Sequence, residues 1–429
     1  MSSTAGTITA PPVEPDSTPP IEPEHAPPER SGGFAALRDR NFARYWTTLS
    51  LSLTGGWVRV TAMGYLVYEI TGDPFKLAMI NVAMAVPQLL ANLVAGNILD
   101  HVDRRRVLVF VQIAYMAAMA VLVGLVLAGD IAYWHLVALS VLIGIAVGFD
   151  WPARLSLVPS LVTEDRLQSA IALNASAFNG ARIVGPSLGG WLIAGVGTAA
   201  AFGVTLVAAL PYALILLGLT LVRPQVKRSR GNVLDLMKEG YGYIWRHGEI
   251  RSLMSVEIVP IALGMSYVTL APAVASDVLD VGSRGLGAML AAVGVGALAG
   301  SVIVAARVGM RRRGRLVIVG VGVFGALSIV YALSGSIYLT LPIMFLMGLT
   351  TALYSTTKET LVQTLVDDAY RGRVMATNSV FWGFTPLGSL LAGAMAAVVG
   401  LQAALAINGA LVLLYAPLLW LATPVRDID

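Results

Sequence analysis

The chain has 429 residues, 56% of them hydrophobic and only 13% charged, with a mean hydropathy of +0.75. Soluble proteins carry about 25% charged residues, and this much apolar side chain could not be hidden from water, so a water-soluble globular domain is excluded. Cysteine is absent, which removes disulfides and thiolate metal sites, and the net charge of +4 is unevenly placed along the chain.

Residues 1–33 are rich in Pro, Ser, Thr and Glu and lack the charged start and apolar core of a signal peptide. Residues 1–40 therefore read as a disordered cytoplasmic tail. From Asn41 onward the apolar runs are long enough to cross a hydrocarbon core of ~30 Å as helices. Twelve spans are predicted, near 43–70, 76–99, 107–128, 133–159, 167–195 and 199–222, then 251–277, 285–306, 316–334, 338–366, 373–398 and 402–422. Of the 29 Lys and Arg residues, Lys76 and Arg284 fall on one side, and Arg59, Arg154, Arg182 and Lys358 fall inside spans. The remaining 23 share the other side with both termini, which the positive-inside rule makes cytoplasmic.

The longest internal connection, 223–250, divides the spans into halves at 41–222 and 251–422, with a short tail at 423–429. Within it Val233, Leu234, Met237, Tyr241, Ile244 and Trp245 recur at helical spacing, opposite Asp235, Lys238, Glu239 and Arg246. That pattern predicts an amphipathic helix lying on the inner leaflet and tethering the halves. The halves read as repeats: "SLVTEDRLQSAIALN" (160–174) matches "TLVDDAYRGRVMATN" (364–378) at an offset of 204. Parallel repeats of this kind place a binding site near the bilayer midplane between them.

Four stretches identify the chain as similar to the major facilitator superfamily, in particular its enterobactin-exporter and macrolide-efflux branch. "GNILDHVDRRR" (96–106) resembles the superfamily's loop 2–3 signature, with Gly96, Asp100, Arg104 and Arg105 at its key positions and Asp103 where the general signature has glycine. "FDWPARLSLVPSLV" (149–162) and "RGRVMATNSVFWGFTPLGSLLAG" (371–393) resemble branch-specific segments. "ARIVGPSLGG" (181–190) resembles the fifth-span antiporter signature, with Ala181 in place of glycine. The drug antiporters' span-4 arginine is absent, its position being Ser140 ahead of Gly144.

The resemblance implies an all-α membrane protein of twelve transmembrane helices in two pseudo-symmetric six-helix halves. It implies a cytoplasmic latch in which Asp100 meets the start of span 11 near Arg373, an anion at a helix N-terminus being favoured by ~0.3–1 kcal/mol. Arg104 and Arg105 would reach carboxylates, Asp150 first among them, while Arg106 anchors topology on anionic lipid. Spans 1, 4, 7 and 10 line the cavity in this superfamily. Arg59, with Trp57 and Tyr65 beside it on span 1, and Glu257 on span 7 are thus the expected substrate and proton groups, since charges at membrane depth need a partner or water. Glu257 is read either as the proton-exchanging carboxyl or as a carboxylate paired near the inner interface.

Asp150 and Arg154, one helical turn apart, are read as a structural pair with substrate contact as the alternative. Lys358, next to Glu359, occupies the repeat position of Arg154 on span 10. Arg182 is read as bracing spans rather than binding substrate. Gly185, Pro186, Gly189 and Gly190 on span 5 and Gly294, Gly296 and Gly300 on span 8 are expected to form a sliding contact between the halves. Tyr68, Trp151, Phe178, Phe381 and Trp382 are further aromatic candidates, and Pro152 and Pro159 are expected to let span 4 bend near its inner end.

No phosphate-binding G-x-x-x-x-G-K-[ST] occurs, "GVGVFG" (320–325) falls inside a span, and the four histidines are scattered. The expectation is a non-enzymatic transporter of the cell membrane that needs no cofactor or metal. It exports a small organic molecule, drug-, antibiotic- or siderophore-like, by alternating access with proton antiport, as a monomer with lipid but no nucleic acid as partner. An importer or uniporter of the same fold, and a non-transporting sensor or scaffold, are the alternatives.

Overall fold

The computed structural model describes residues 33–219, 233–306, 312–367, 370–375, 377 and 385–428, although the side chains of Asn97, Asp100 and 233–237 are not described. The long helices are α1 (Arg40–Thr71), α2 (Pro74–His101), α3 (Arg104–Ala128), α4 (Tyr133–Leu157), α5 (Glu164–Val196) and α6 (Thr198–Gly218). They continue as α7 (Gly248–Val278), α8 (Gly282–Ala306), α9 (Arg313–Leu333), α10 (Ile337–Leu365), α11 (Thr385–Val399) and α12 (Leu401–Ala422). Among the described residues nine helices are long and apolar enough to cross a membrane. Helices α1 and α5 are long but carry polar residues such as Arg59, Asn174 and Arg182, and α11 is short because the residues before it lie outside the description.

Glycines at the C-caps stop several helices sharply. Gly72 and Gly129 adopt left-handed backbone (φ +56° and +75°), which costs a residue without Cβ little, and their N–H groups close the last turns of α1 and α3. At the starts of α2 and α3, Asp73 and Asp103 accept hydrogen bonds from backbone N–H groups of the first turn. In the loop 2–3 signature, Asp103 therefore serves as the N-cap of the arginine-bearing helix.

Packing follows the sequence repeat. In the first half α2 lies on α4, α3 on α4 and α6, and α1 on α5 and α6; in the second α8 lies on α10, and α9 on α10 and α12. The halves meet through two equivalent pairs, α5 with α8 and α11 with α2. The close approaches between halves run from mid-depth to the face opposite the linker: Gly294 against Ile183, Gly287 against Pro186 and Gly190, and Gly393 against Phe75 and Ala78. At that face Tyr68 of α1 also donates to Asp277 of α7.

Four expectations change in detail. The disordered tail ends earlier than residue 40, because Ala35–Arg38 form a 3-10 turn fastened to α5 by Ser169 and by the Arg166–Asp39 ion pair at 2.9 Å. The C-terminal residues are not a free tail either, since Ile428 accepts from Gly314 N–H and Val425 is buried. Helix α4 runs through Pro152, and it is Pro159 that falls in the 3-10 turn ending the span. Span 7 is not a regular helix: Pro260–Gly264 and Val274–Val278 are π-helical, around two prolines that cannot donate to the α ladder.

The linker forms the predicted helix, Val233–Arg246, but it packs on protein as well as facing outward. Gly240 abuts the Arg373 carbonyl, Tyr243 stacks on Tyr370 at 4.6 Å and donates to Asp367 at 3.0 Å, and Ile244 is buried. Tyr241 and Trp245 remain exposed, as a membrane-facing edge requires.

The α5–α8 contact tolerates no side chain. A Cβ at Gly287 would lie 2.7 Å from the Pro186 carbonyl oxygen and 3.1 Å from Gly190 Cα. Gly287→Val is expected to cost about 1–3 kcal/mol by overpacking, read as a lower midpoint of thermal unfolding of the purified protein; an unchanged midpoint would contradict this packing.

Candidate functional site

The charges at membrane depth decide what these bundles can do, because each must find a counter-charge or water. In the second half Lys358 Nζ of α10 lies 2.5 Å from Glu257 Oε2 of α7. The side chains are 0% and 2% exposed, so this is a fully buried ion pair between two helices. Tyr354, one turn before Lys358 and itself buried, places its ring within electrostatic reach of Glu257. Glu359 is partly buried, and its charge acts on both Lys358 and Glu257.

The first half holds the repeat counterpart in a different arrangement. Arg154 pairs with Asp150 of its own helix, both largely buried, and its charge reaches Tyr45 of α1 and Tyr212 of α6. The repeat offset sets Lys358 against Arg154 and Tyr354 against Asp150. The cation recurs in both halves, while its carboxylate comes from the same helix in one and from α7 in the other. Only the second arrangement ties together two spans.

Arg59 does not enter the space between the halves. Its guanidinium lies against Met84 of α2 and over the Tyr115 ring of α3, inside the first bundle, with Nε buried and unbonded. Tyr65 packs in the core, apart from Trp57. Trp57 instead meets Phe178 of α5 edge-on at 6.1 Å, and Phe178 meets Trp151 of α4 at 5.6 Å. Arg182 sits over Trp57 at 5.9 Å and acts electrostatically on Tyr267 of the opposite half. Phe381 and Trp382 lie outside the described residues.

The latch expected at the linker face is resolved only in part. The Asp100 side chain lies outside the description, and Gly96 lies in the last third of α2. Arg104 does not reach Asp150, which Arg154 already holds; its guanidinium donates to the Ser156 carbonyl at 2.9 Å. Arg105 donates to the Leu219 carbonyl at 2.5 Å and lies 3.5 Å from Asp103. Both therefore bind the carbonyl-rich ends of α4 and α6. Arg373 pairs with Glu239 of the linker helix at 3.1 Å and lies over Tyr370.

The glycine set divides between two tasks. Gly190 and Gly294 serve the α5–α8 contact, with the Pro186 carbonyl against Gly287, whereas Gly185 and Gly189 pack on α1. Gly296 and Gly300 abut Phe345 and Leu349 of α10, so they close up one half and do not slide between two. Tyr267, Tyr354 and Glu239 were missed by sequence reasoning. Tyr354 carried a usable signal, its place at the repeat offset from Asp150.

Two six-helix bundles with equivalent packing, joined by a linker helix, constitute the major facilitator architecture. A family profile described as transmembrane secretion effector matches residues 31–429, and the chain belongs to that family of the major facilitator superfamily. It is 26% identical over 363 residues to the multidrug efflux pump Tap of Mycolicibacterium fortuitum, covering 81% of this chain and 87% of the pump. It is 24% identical to the staphyloferrin A transporter of Staphylococcus aureus, covering 85% and 92% of the two chains. Among solved structures, a bacterial homologue of the human lysosomal transporter Spinster superposes with a TM-score of 0.70 at 13% identity, over 91% of this chain and 97% of that one.

Removing one partner of a buried pair leaves a bare charge in low dielectric, a loss of about 3–5 kcal/mol. Lys358→Met alone should therefore lower the thermal midpoint markedly, and Glu257→Gln/Lys358→Met should recover most of the loss. Equal destabilisation in the single and double variants would show that the pair does not act as a unit.

Proposed function

We propose that this protein is a secondary active exporter that carries a small organic molecule out of the cell by alternating access, driven by proton antiport. In this reading it is a monomer of the cell membrane with both termini cytoplasmic, and it needs no cofactor and performs no catalysis. Its relatives named as efflux pumps support the direction, and the 23 Lys and Arg residues on one side support the orientation.

The observation that carries proton coupling is the triad of Glu257, Lys358 and Glu359. Two carboxylates and one ammonium at membrane depth leave one negative charge in excess, and a proton removes that excess at least cost. Because Lys358 and Glu257 stand on different helices, protonation of Glu257 loosens α7 from α10 and frees Lys358 for Glu359. The π-helical turns of α7 give that helix room to rearrange. The contacts between the halves at the face opposite the linker, α5–α8, α11–α2 and Tyr68–Asp277, are ones that an inward-open state would keep. In the outward-open state the same carboxylates would load a proton from outside, and in the inward-open state they would release it and leave the cavity for cargo.

The test uses inside-out vesicles with an acidic lumen reported by a pH-sensitive dye, challenged with lipophilic cations, macrolides and catecholate siderophores. At least one compound is expected to release luminal protons, and Glu257→Gln is expected to abolish that release, with Glu359→Gln reducing it. Release that persists in both variants would move coupling away from this triad. Protonophore-insensitive uptake of a labelled compound down its gradient would overturn the exporter reading in favour of a uniporter.

A further inference from the structure

The first half contains a cation at membrane depth that the proton-coupling triad does not use. Arg182 stands near the middle of α5, partly buried, with its guanidinium over the Trp57 ring and its charge felt by Tyr267 across the interface. Among the described residues it has no carboxylate partner and no hydrogen bond. The described carboxylates at depth have other company: Asp150 holds Arg154, Glu257 holds Lys358, and Glu359 lies beside Lys358. Asp277, nearer the closed face, accepts from Tyr68.

Below Arg182 toward the linker face runs a ladder of aromatic edges. Trp57 meets Phe178 at an interplanar angle of 67°, and Phe178 meets Trp151 at 69°. Edge-to-face pairs of this kind leave ring faces open, and Trp151 is 46% exposed. The ladder joins α1, α4 and α5 and ends at a guanidinium with free donors. A guanidinium stacked on indole keeps its in-plane N–H groups available, and they match a carboxylate two-on-two.

We infer that Arg182 is the receptor for an anionic group on the transported molecule, a carboxylate or similar oxyanion, while the Trp57–Phe178–Trp151 ladder receives its aromatic or apolar body. This inference rests on the transport reading and narrows it to amphipathic organic anions. Arg182 stands on the α5–α8 contact, where its backbone carbonyl faces Gly294. An anion bound there therefore screens Arg182 from Tyr267 and from the second half, and cargo occupancy is coupled to closure.

The test is a binding measurement, independent of transport. The protein in lipid nanodiscs is equilibrated by dialysis with 2-naphthoate, its methyl ester and 2-naphthyltrimethylammonium, and partition into empty nanodiscs is subtracted. The wild type is expected to prefer the carboxylate over the ester at least tenfold. Arg182→Gln should abolish that preference and leave ester binding unchanged, which also reports that the variant is folded. Arg182→Lys should retain a reduced preference, and Trp57→Ala should weaken carboxylate and ester alike. The inference is overturned if the carboxylate binds no better than the ester, if its preference survives Arg182→Gln, or if the trimethylammonium compound is the ligand preferred. The last result would leave the exporter reading intact and make the cargo cationic; binding of none of the three would overturn the anion receptor without touching the proton-release assay.

Discussion

Everything distinctive in this protein depends on the cost of a charge at membrane depth. Lys358 is completely buried, and Glu257 reaches it there from another helix as its counter-charge. That contact ties α7 to α10. The first half meets the same cost locally, with Asp150 and Arg154 a turn apart on α4. The halves share a backbone plan and differ in where the counter-charge comes from.

The junction between the halves is built on the opposite principle, the removal of side chains. At Gly190, Gly287 and Gly294 the backbones of α5 and α8 approach until no Cβ fits. Glycine also leaves a smooth surface on which two rigid bundles can rock. Among the described residues, the polar contacts added there include Tyr68 on Asp277 and Arg284 over the Trp191 ring. A junction held by close packing and a few polar contacts can open without breaking a large network.

At the linker face, loop 10–11 is held by the linker helix through Tyr243, Tyr370, Glu239 and Arg373. The arginines of loop 2–3 are directed onto the carbonyl ends of α4 and α6. Carbonyls at a helix C-terminus carry partial negative charge, so those of Ser156 and Leu219 attract the guanidinium groups of Arg104 and Arg105. They brace the first bundle as a rigid body, while Arg373 is committed to the second.

By itself the sequence determined the membrane class, the apolar helices, the repeat offset and the superfamily, because each is written in local composition, period or spacing. It also located Glu257, Lys358 and the Asp150–Arg154 pair, since a charge in an apolar run is conspicuous and an i, i+4 spacing fixes a shared helix face. Only the tertiary structure decided who meets whom. Arg59 turned inward to Tyr115, Arg182 came to lie over Trp57 of α1, and Gly296 and Gly300 went to α10 rather than α5. The direction of a long side chain on a helix surrounded by other helices depends on the rotation of that helix in its bundle. That rotation is set by contacts between residues a hundred or more positions apart, and no local pattern records it.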